Sequence, residues 1–452
     1  MYTSLKSKKI LFANVAADGH FYPLTGLAAY LKELGCDVRW YTSKHYKPKL
    51  DALGIHNYPL VKAMDFNEGS PSEIFPERDN IKSPIGKLKF DLINAFILRA
   101  PEYYEDILAI RKEFAFELFV SDCMYLGSPF VKELMHVPVI SIGVVPMLEN
   151  SKDTAPPGMG KEPSHHIFGK LRQRIMRLVA DKFIFSGPNK VLYKVFDEYG
   201  IPYKRETLFD LMVHKPDLYL QSGTPGFEYQ RSDLSHNVKF IGSLLPQATS
   251  KAAPWYDPRL KKFSKVILVT QGTVEKDIKK LIIPTLEAFK GTEVLVIVTT
   301  GGSETEMLRN KYSHENIIIE DYISFYDVMP YADVYVTNGG YGGVMLGIEH
   351  QLPMVVAGVH EGKNEIAARI GYFKLGVNLN TETPKPSDIK KAVDKVFTDP
   401  VYFDSVRVLS QEFKQYNPKT LFAAYALELL NKAEQVPGTV TGKEHFEHRK
   451  SA

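Results

Sequence analysis

Cysteine is almost missing from this chain: Cys36 and Cys123 are the only two in 452 residues. Their spacing fits neither a metal-ligand set nor a redox pair, so a reducing compartment, the cytoplasm, is the expectation. The sequence holds no run of about 18 apolar residues and therefore no segment that reads as a membrane span. Its first ten residues, MYTSLKSKKI, are basic but lead straight into a strand, without the apolar stretch and small-residue cleavage site of a secretory signal. Runs of five basic residues are lacking and the net charge is only +3, which speaks against nucleic acid as a partner. Two nucleotide signatures are missing as well. The turn NVAADGHFYP has no GxGxxG and GxxxxGK[ST] occurs nowhere, which weakens dinucleotide and P-loop readings. No two aspartates stand two residues apart, so a paired-carboxylate metal motif is lacking too.

What is present is an ordinary globular composition, 44% hydrophobic and 24% charged. The length exceeds what one core organises, so two domains of about 200 residues each are expected. The first half opens with a strand over 10–15, a polar turn over 16–22 and a helical pattern. Leu24, Leu27, Ala28, Leu31 and Leu34 recur at helical offsets until Gly35 stops them. A strand over 37–41 follows, and further strands are expected at 118–121, 137–142, 218–221 and 238–241. The second half opens alike. A strand over 265–270, the turn Gln271-Gly272-Thr273, an apolar helical face through Ile278, Leu281, Ile282, Leu286 and Phe289, and a strand over 293–299 lead to strands at 317–320, 334–337 and 354–356.

Strands alternating with helices imply parallel sheets covered on both faces, with ligands at the carboxyl ends of the strands. The expected organisation is a first domain over 1–245, a proline-containing linker over 246–262 and a second domain over 263–413. An amphipathic helix over 414–434, with Tyr416, Leu421, Ala424, Leu427 and Leu430, is expected to pack back towards the first domain. The tail 435–452 is expected to be disordered. Two such domains face each other across a cleft and hold one substrate each, an arrangement suited to group transfer.

The densest segment is DVYVTNGGYGGVMLGIEHQLPMVVAGVHEGKNEIAAR, from Asp333 to Arg369. A β-branched run meets two glycine pairs, then a helix, then Pro353 and a second apolar run. Glycines let a ligand approach the backbone, and the helix start offers free N–H groups and the positive end of its dipole, a cradle for phosphate. A tight βα turn with no ligand would leave the same trace.

The opening DGHFYPLTGLAAYLKELGCDVRWYTS, the turn VTQGTVEKD, the approach EDYISFYDVMPYADVYV and the block TNGGYGG followed by GIEHQLPMVV resemble, in this order, the UDP-glycosyltransferase family. The likeness covers nearly the whole chain and is greatest to the bacterial macrolide and natural-product branch. It implies an α/β protein of GT-B architecture, two Rossmann-like doubly wound parallel-sheet domains facing across a cleft. It also implies an inverting, metal-independent glycosyltransferase that moves a hexose from a nucleotide diphosphate sugar to a hydroxyl of a hydrophobic small molecule. No cofactor is implied; UDP-glucose is the favoured co-substrate and a dTDP-sugar the second.

By the same resemblance His20 falls at the catalytic base and Asp122 at the carboxylate that orients it, with Asp18 a weaker substitute. An imidazole can take a proton from the attacking hydroxyl near neutral pH. Gly272 and Thr273 match a phosphate-contacting turn. Tyr322 and Ile323 match the Trp-Val pair that holds uracil, and Asn338, Gly339, Gly340, Gly342 and Gly343 match the diphosphate turn. Asn338 stands where most relatives have histidine and brings no positive charge. Leu346 replaces a glutamate that holds ribose hydroxyls. Gly362 and Lys363 replace the Asp-Gln that binds sugar hydroxyls, a task for which Glu361, Lys363 and Asn364 are candidates.

The acceptor is expected in the first domain, beneath the loops 63–85 and 144–166, where Phe66, Phe75, Met147 and Met159, with the nearby Phe168, offer apolar surface for an aromatic or polycyclic molecule. The segment 170–185 interleaves Lys170, Arg172, Arg174, Arg177 and Lys182 with apolar residues. Such a helix either covers a core with its apolar stripe or touches a membrane surface. Two other functions stay open at this point: a non-catalytic GT-B protein that binds a nucleotide or a partner, and a nucleotide-sugar epimerase of the same fold. Monomer and homodimer are equally compatible with the sequence.

Overall fold

The protein is described by a computed structural model that covers residues 3–67, 71–245, 254–272 and 275–435. Thirteen strands form two sheets in which every named pairing is parallel. The first contains β1 (Lys9–Ala13), β2 (Asp37–Tyr41), β3 (His56–Tyr58), β4 (Leu118–Asp122), β5 (Val139–Gly143), β6 (Leu218–Ser222) and β7 (Val238–Gly242), in the order β3-β2-β1-β4-β5-β6-β7. The second contains β8 (Val266–Thr270), β9 (Leu295–Thr299), β10 (Ile317–Glu320), β11 (Val334–Thr337), β12 (Met354–Val356) and β13 (Gly376–Asn378), in the order β10-β9-β8-β11-β12-β13. In each sheet the order reverses beside the first strand, between β1 and β4 and between β8 and β11. That reversal opens a crevice at the carboxyl ends of the strands.

Strands buried on both faces read as unbroken apolar runs, because alternate residues enter different cores. In β1, Ile10 and Phe12 face one core while Leu11 and Ala13 face the other. In β8, Leu268 faces one core and Ile267 and Val269 the other. The edge strands β3 and β13 escaped the sequence reading, since each has three residues and half-polar composition, HNY and GVN.

Several boundaries moved for identifiable reasons. The strand expected over 10–15 ends at Ala13, because the Val15 N–H donates to Asp122 Oδ2 at 2.7 Å rather than to the sheet. The one expected from 137 begins at Val139, whose N–H is taken by Asp217 at 2.9 Å after Pro138, which has no N–H to give. The helix read from Ile278 begins at Ile282, where Gln271 Oε1 accepts the N–H groups of Leu281 and Ile282.

The last helix runs Pro418–Gln435 and packs on the first sheet, not the second. Phe422, Ala423, Ala426 and Leu430 belong to the core of Phe12 and Trp40, and the Phe12 and Phe422 rings meet edge-on at 6.2 Å. The chain therefore crosses between the sheets twice. The two crossings touch: a Cβ on Gly242, at the end of β7, would lie 2.6 Å from Tyr416 Cβ. Gly242 has φ +89, so a side chain there is opposed by backbone and neighbour alike. Of the residues expected as a linker, 246–253 lie outside the described residues; so does the tail 436–452.

A polar cluster secures the far end of β6 and β7. The His214 ring lies 2.8 Å from Glu149 and 2.7 Å from Glu206, and Ser235 donates to Glu149. The Glu149 hydrogen bond outweighs burial and, with Glu206, lifts the imidazole from 6.5 to about 9. For Glu149, burial is outweighed by His214 and Ser235, and its carboxyl falls below the usual range. A raised histidine stabilises fully below its unfolded value and loses that contribution as pH climbs through the folded one; a lowered carboxylate loses its share as pH falls. The cluster is thus most stabilising from about pH 4.5 to 6.5. We expect stability to fall by about 2 kcal/mol between pH 6.5 and 9.5, and His214→Gln to flatten that slope in denaturant melts. An unchanged slope would show that His214 is not the titrating group.

Candidate active site

His20 sits in the first turn of the helix Asp18–Glu33, which follows β1. Asp122 is the last residue of β4, the neighbour of β1 across the reversal point. Their side chains meet, with His20 Nδ1 2.7 Å from Asp122 Oδ1, although 102 residues separate them. The carboxylate is fully buried and also accepts the N–H groups of Val15 at 2.7 Å and Met124 at 2.8 Å. It cannot swing, and it fixes the imidazole with Nδ1 turned inward. Nε2 has no partner among the described residues. Asp18 is engaged elsewhere, accepting from the Tyr46 hydroxyl at 3.2 Å.

The second half builds its own strand-end site. Tyr341–Glu349 is the helix after β11, with Gly340 at its N-cap. Gly339 has φ +83, and a Cβ there would lie 2.9 Å from Val356. Gly343 is packed against the Tyr335 hydroxyl, whereas a Cβ on Gly342 would meet nothing within 4 Å. The first turn thus presents unpaired N–H groups beside open space at Gly342. The Asn338 amide does not reach into that space; its Nδ2 donates to the Gln271 carbonyl and ties the β11 turn to the β8 turn. Gln271, read in the sequence only as part of a turn, therefore fixes both turns through its main chain and the start of the next helix through its side chain. Gly272 has φ +76 beside Asn338, and Thr273 lies outside the described residues.

Of the two residues matched to a base-holding pair, Tyr322 is 75% exposed, its hydroxyl donating to Gly301 O at 3.0 Å, while Ile323 is buried in the core. Leu346 is buried in the same core. Lys363 runs past Gly339, and its ammonium lies 2.7 Å from Glu361. Asn364 is committed otherwise: its amide donates to Gly158 O at 2.7 Å, across the cleft.

The acceptor-side residues separate. Phe66 and Phe75 are half-buried, their rings 6.1 Å apart, and the neighbouring Asn67 donates to Ala16 O at 3.1 Å, next to the His20 turn. Met159 is partly buried against the first domain's helical layer. Met147 cannot line the cleft: it is 3% exposed and packs in the core, because its N–H is drawn inward by Glu228 at 2.9 Å.

What joins the halves is Arg369, buried at 1% exposure. Its guanidinium donates to Glu228 Oε2 at 2.8 Å and to Glu365 Oε2 at 2.9 Å, and lies 4.4 Å from the Tyr229 ring centre. Burial opposes the Glu228 charge, but Arg369 and Arg231 outweigh it and hold the carboxyl below its usual range. Tyr341 adds a second bridge, its hydroxyl donating to Ser222 O at 2.8 Å and accepting from Gln221 at 3.2 Å. Neither bridge left a sequence signal, as its partners lie far apart in the chain: Arg369 within the helix Lys363–Tyr372, Glu228 141 residues earlier, and Gln221 and Ser222 at the end of β6, about 120 residues before Tyr341. The helices Asp18–Glu33 and Tyr341–Glu349 pack together, so both strand-end sites open on one cleft. Among the described residues no group of three or more His, Cys, Asp or Glu could hold a metal ion, and no helix is long and apolar enough to cross a membrane.

Two parallel-sheet domains with a histidine–carboxylate pair facing a glycine-bounded helix start define a GT-B enzyme. The chain belongs to the UDP-glucoronosyl and UDP-glucosyl transferase family, whose model matches residues 112–424, and it is a glycosyltransferase. It is 32% identical over 394 residues to the 4'-demethylrebeccamycin synthase of Lentzea aerocolonigenes, covering 87% of this chain and 92% of that protein. A 29% identity over 428 residues, 89% and 91% of the two chains, relates it to UDP-glucosyltransferase 1 of Beauveria bassiana. In fold it is similar to the kitacinnamycin glycosyltransferase, with TM-score 0.74, 18% identity and coverage of 94% of this chain and 100% of that one. The expected family and the GT-B architecture are both borne out.

Two substitutions probe this geometry. Gly342→Ala should leave the unfolding midpoint unchanged or raise it, since alanine is favoured by up to about 1 kcal/mol in a helix, while KM for the donor rises because the methyl enters the open space. An unaltered KM would place the diphosphate elsewhere. Arg369→Met should cost about 3 to 5 kcal/mol in urea melts, because it removes the stronger of the two guanidinium partners of the buried Glu228 carboxylate and leaves Arg231 alone beside it. A loss under about 1 kcal/mol would show that Arg231 suffices to hold Glu228.

Proposed function

We propose that the protein is an inverting, metal-independent glycosyltransferase that moves a hexose from a nucleotide diphosphate sugar to a hydroxyl of a hydrophobic small molecule. The observation that carries this reading is the His20–Asp122 pair, with a pinned carboxylate on Nδ1 and Nε2 left for a substrate. Nε2 takes the acceptor hydroxyl proton as that oxygen forms its bond to the anomeric carbon, and Asp122 stabilises the imidazolium. The bond between the anomeric carbon and the diphosphate oxygen breaks on the opposite face, and the electron pair leaves with the nucleotide diphosphate. Its charge is met by the N–H groups and dipole at the start of Tyr341–Glu349, worth about 0.3 to 2 kcal/mol, and by Lys363. Tyr322 offers an exposed ring on which the base stacks.

UDP-glucose is the first choice of donor and a dTDP-sugar the second. Leu346 favours keeping the second, since a buried leucine makes no hydrogen bond to a ribose hydroxyl and so does not penalise a deoxyribose. Phe66 and Phe75, beside the His20 turn, support an aromatic or polycyclic acceptor, and so does the relative named for making 4'-demethylrebeccamycin.

The test is transfer to a panel of phenols and polyketides with UDP-glucose or dTDP-glucose. Wild type should give β-linked product from the α-linked donor, and only with acceptor present. His20→Ala should lower kcat by about 100- to 10,000-fold with little change in KM for the donor. Near wild-type rates in folded His20→Ala would remove the mechanism, and conversion of the donor sugar without acceptor would instead indicate an epimerase.

A further inference from the structure

The helix Ile167–Val179 is inside out. Its apolar residues repeat at helical spacing, as a core stripe would, but Ile167, Phe168, Leu171, Ile175, Leu178 and Val179 all face solvent. Phe168 is 83% exposed and Leu178 62%. The only buried residue of the helix is polar: Gln173, whose amide donates to Glu162 O at 3.0 Å. Arg177 fastens the same side by donating to Thr154 O. The following segment, Ala180–Phe185, is rooted in the core through Ala180 and Phe185 while Phe183 points outward. The helix Pro84–Asp91 packs against that segment and carries the exposed Ile85 and Leu88. So the stripe does not cover a core, and the first of the two readings open from sequence is overturned.

A contiguous exposed apolar patch of this kind marks a docking surface. Its charge names the occupant. Lys170, Arg172, Arg174 and Lys182 are exposed along the stripe, and from 167 to 183 the single acid is Asp181, which is half-buried. A second copy docked face to face would set these cations against their own images, since a twofold contact uses the same patch on both sides. Phosphate headgroups above acyl chains match both features at once: apolar side chains enter the headgroup boundary and the flanking cations meet anionic lipid.

We propose that this helix docks the protein peripherally on anionic lipid bilayers, a property that goes beyond glycosyl transfer and does not depend on which donor or acceptor is used. The docked face lies next in the chain to the loop 144–166, which is bonded across the cleft through Gly158 and Gly160. A bilayer held there stands beside the acceptor side of the cleft.

The experiment is co-sedimentation of the full chain with vesicles of phosphatidylcholine alone or containing about one part in three phosphatidylglycerol. The anionic vesicles should bind at least about tenfold more tightly than the neutral ones, and raising the salt should weaken binding. Leu171→Glu with Leu178→Glu should reduce binding by about tenfold or more at an unchanged unfolding midpoint, because both side chains are already exposed. Phe168→Trp should give a blue-shifted emission on adding anionic vesicles. Three results would each overturn the proposal: wild type left in the supernatant with anionic vesicles, equal binding by the double glutamate variant, or a dimer in solution that the same variant dissociates.

Discussion

The buried pair of Arg369 and Glu228 is the constraint on which the cleft depends. Glu228 holds Met147 at the beginning of the loop 144–166; Glu365, the other partner of Arg369, holds Gly160 in its middle. One guanidinium therefore governs, through two carboxylates, a loop contributed by the other half of the molecule. Buried ion pairs add little net stability compared with apolar substitutes, because desolvation offsets attraction. What this pair supplies is specificity: two sheets that fold on separate cores acquire one relative placement.

The two strand-end sites are made by the same physical device used twice. A parallel sheet reverses its strand order, two strand ends part, and a helix begins in the gap. In the first sheet the gap is filled by a carboxylate at a strand end and an imidazole in the first helical turn. In the second it is left open by glycines, so that backbone N–H groups take the place of side chains. Asp122 holds the imidazole in one orientation, whereas the glycines leave the helix start open to close approach.

The central strands were legible in the sequence because burial on both faces leaves uninterrupted β-branched runs, as in Val266–Thr270 and Leu295–Thr299. Where a side chain competes for a backbone group, the sequence misleads: Asp122 shortened β1 and Gln271 delayed a helix, and neither contact has a local signal. His20 and Asp122 could be nominated only by likeness to a family, since nothing local links residues so far apart. Met147 was misjudged because loop position was taken for exposure. The segment 170–185 was read as a basic amphipathic helix, and an amphipathic helix does run Ile167–Val179, but the pattern does not state which face turns inward. That depends on what else the domain offers to cover it, here a polar anchor through Gln173 and Arg177.

The contact between Gly242 and Tyr416 places the outgoing and returning chain segments side by side. Two bodies joined at one point can swivel in any direction; joined at two adjacent points, they keep one easy rotation, about the line through both. A rotation about that line would leave the floor near Tyr341 hardly moved and would first break the bonds that tie Gly158 and Gly160 to Asn364 and Glu365 across the cleft. A bulky acceptor can be admitted at the lips while the register between imidazole and helix start is kept.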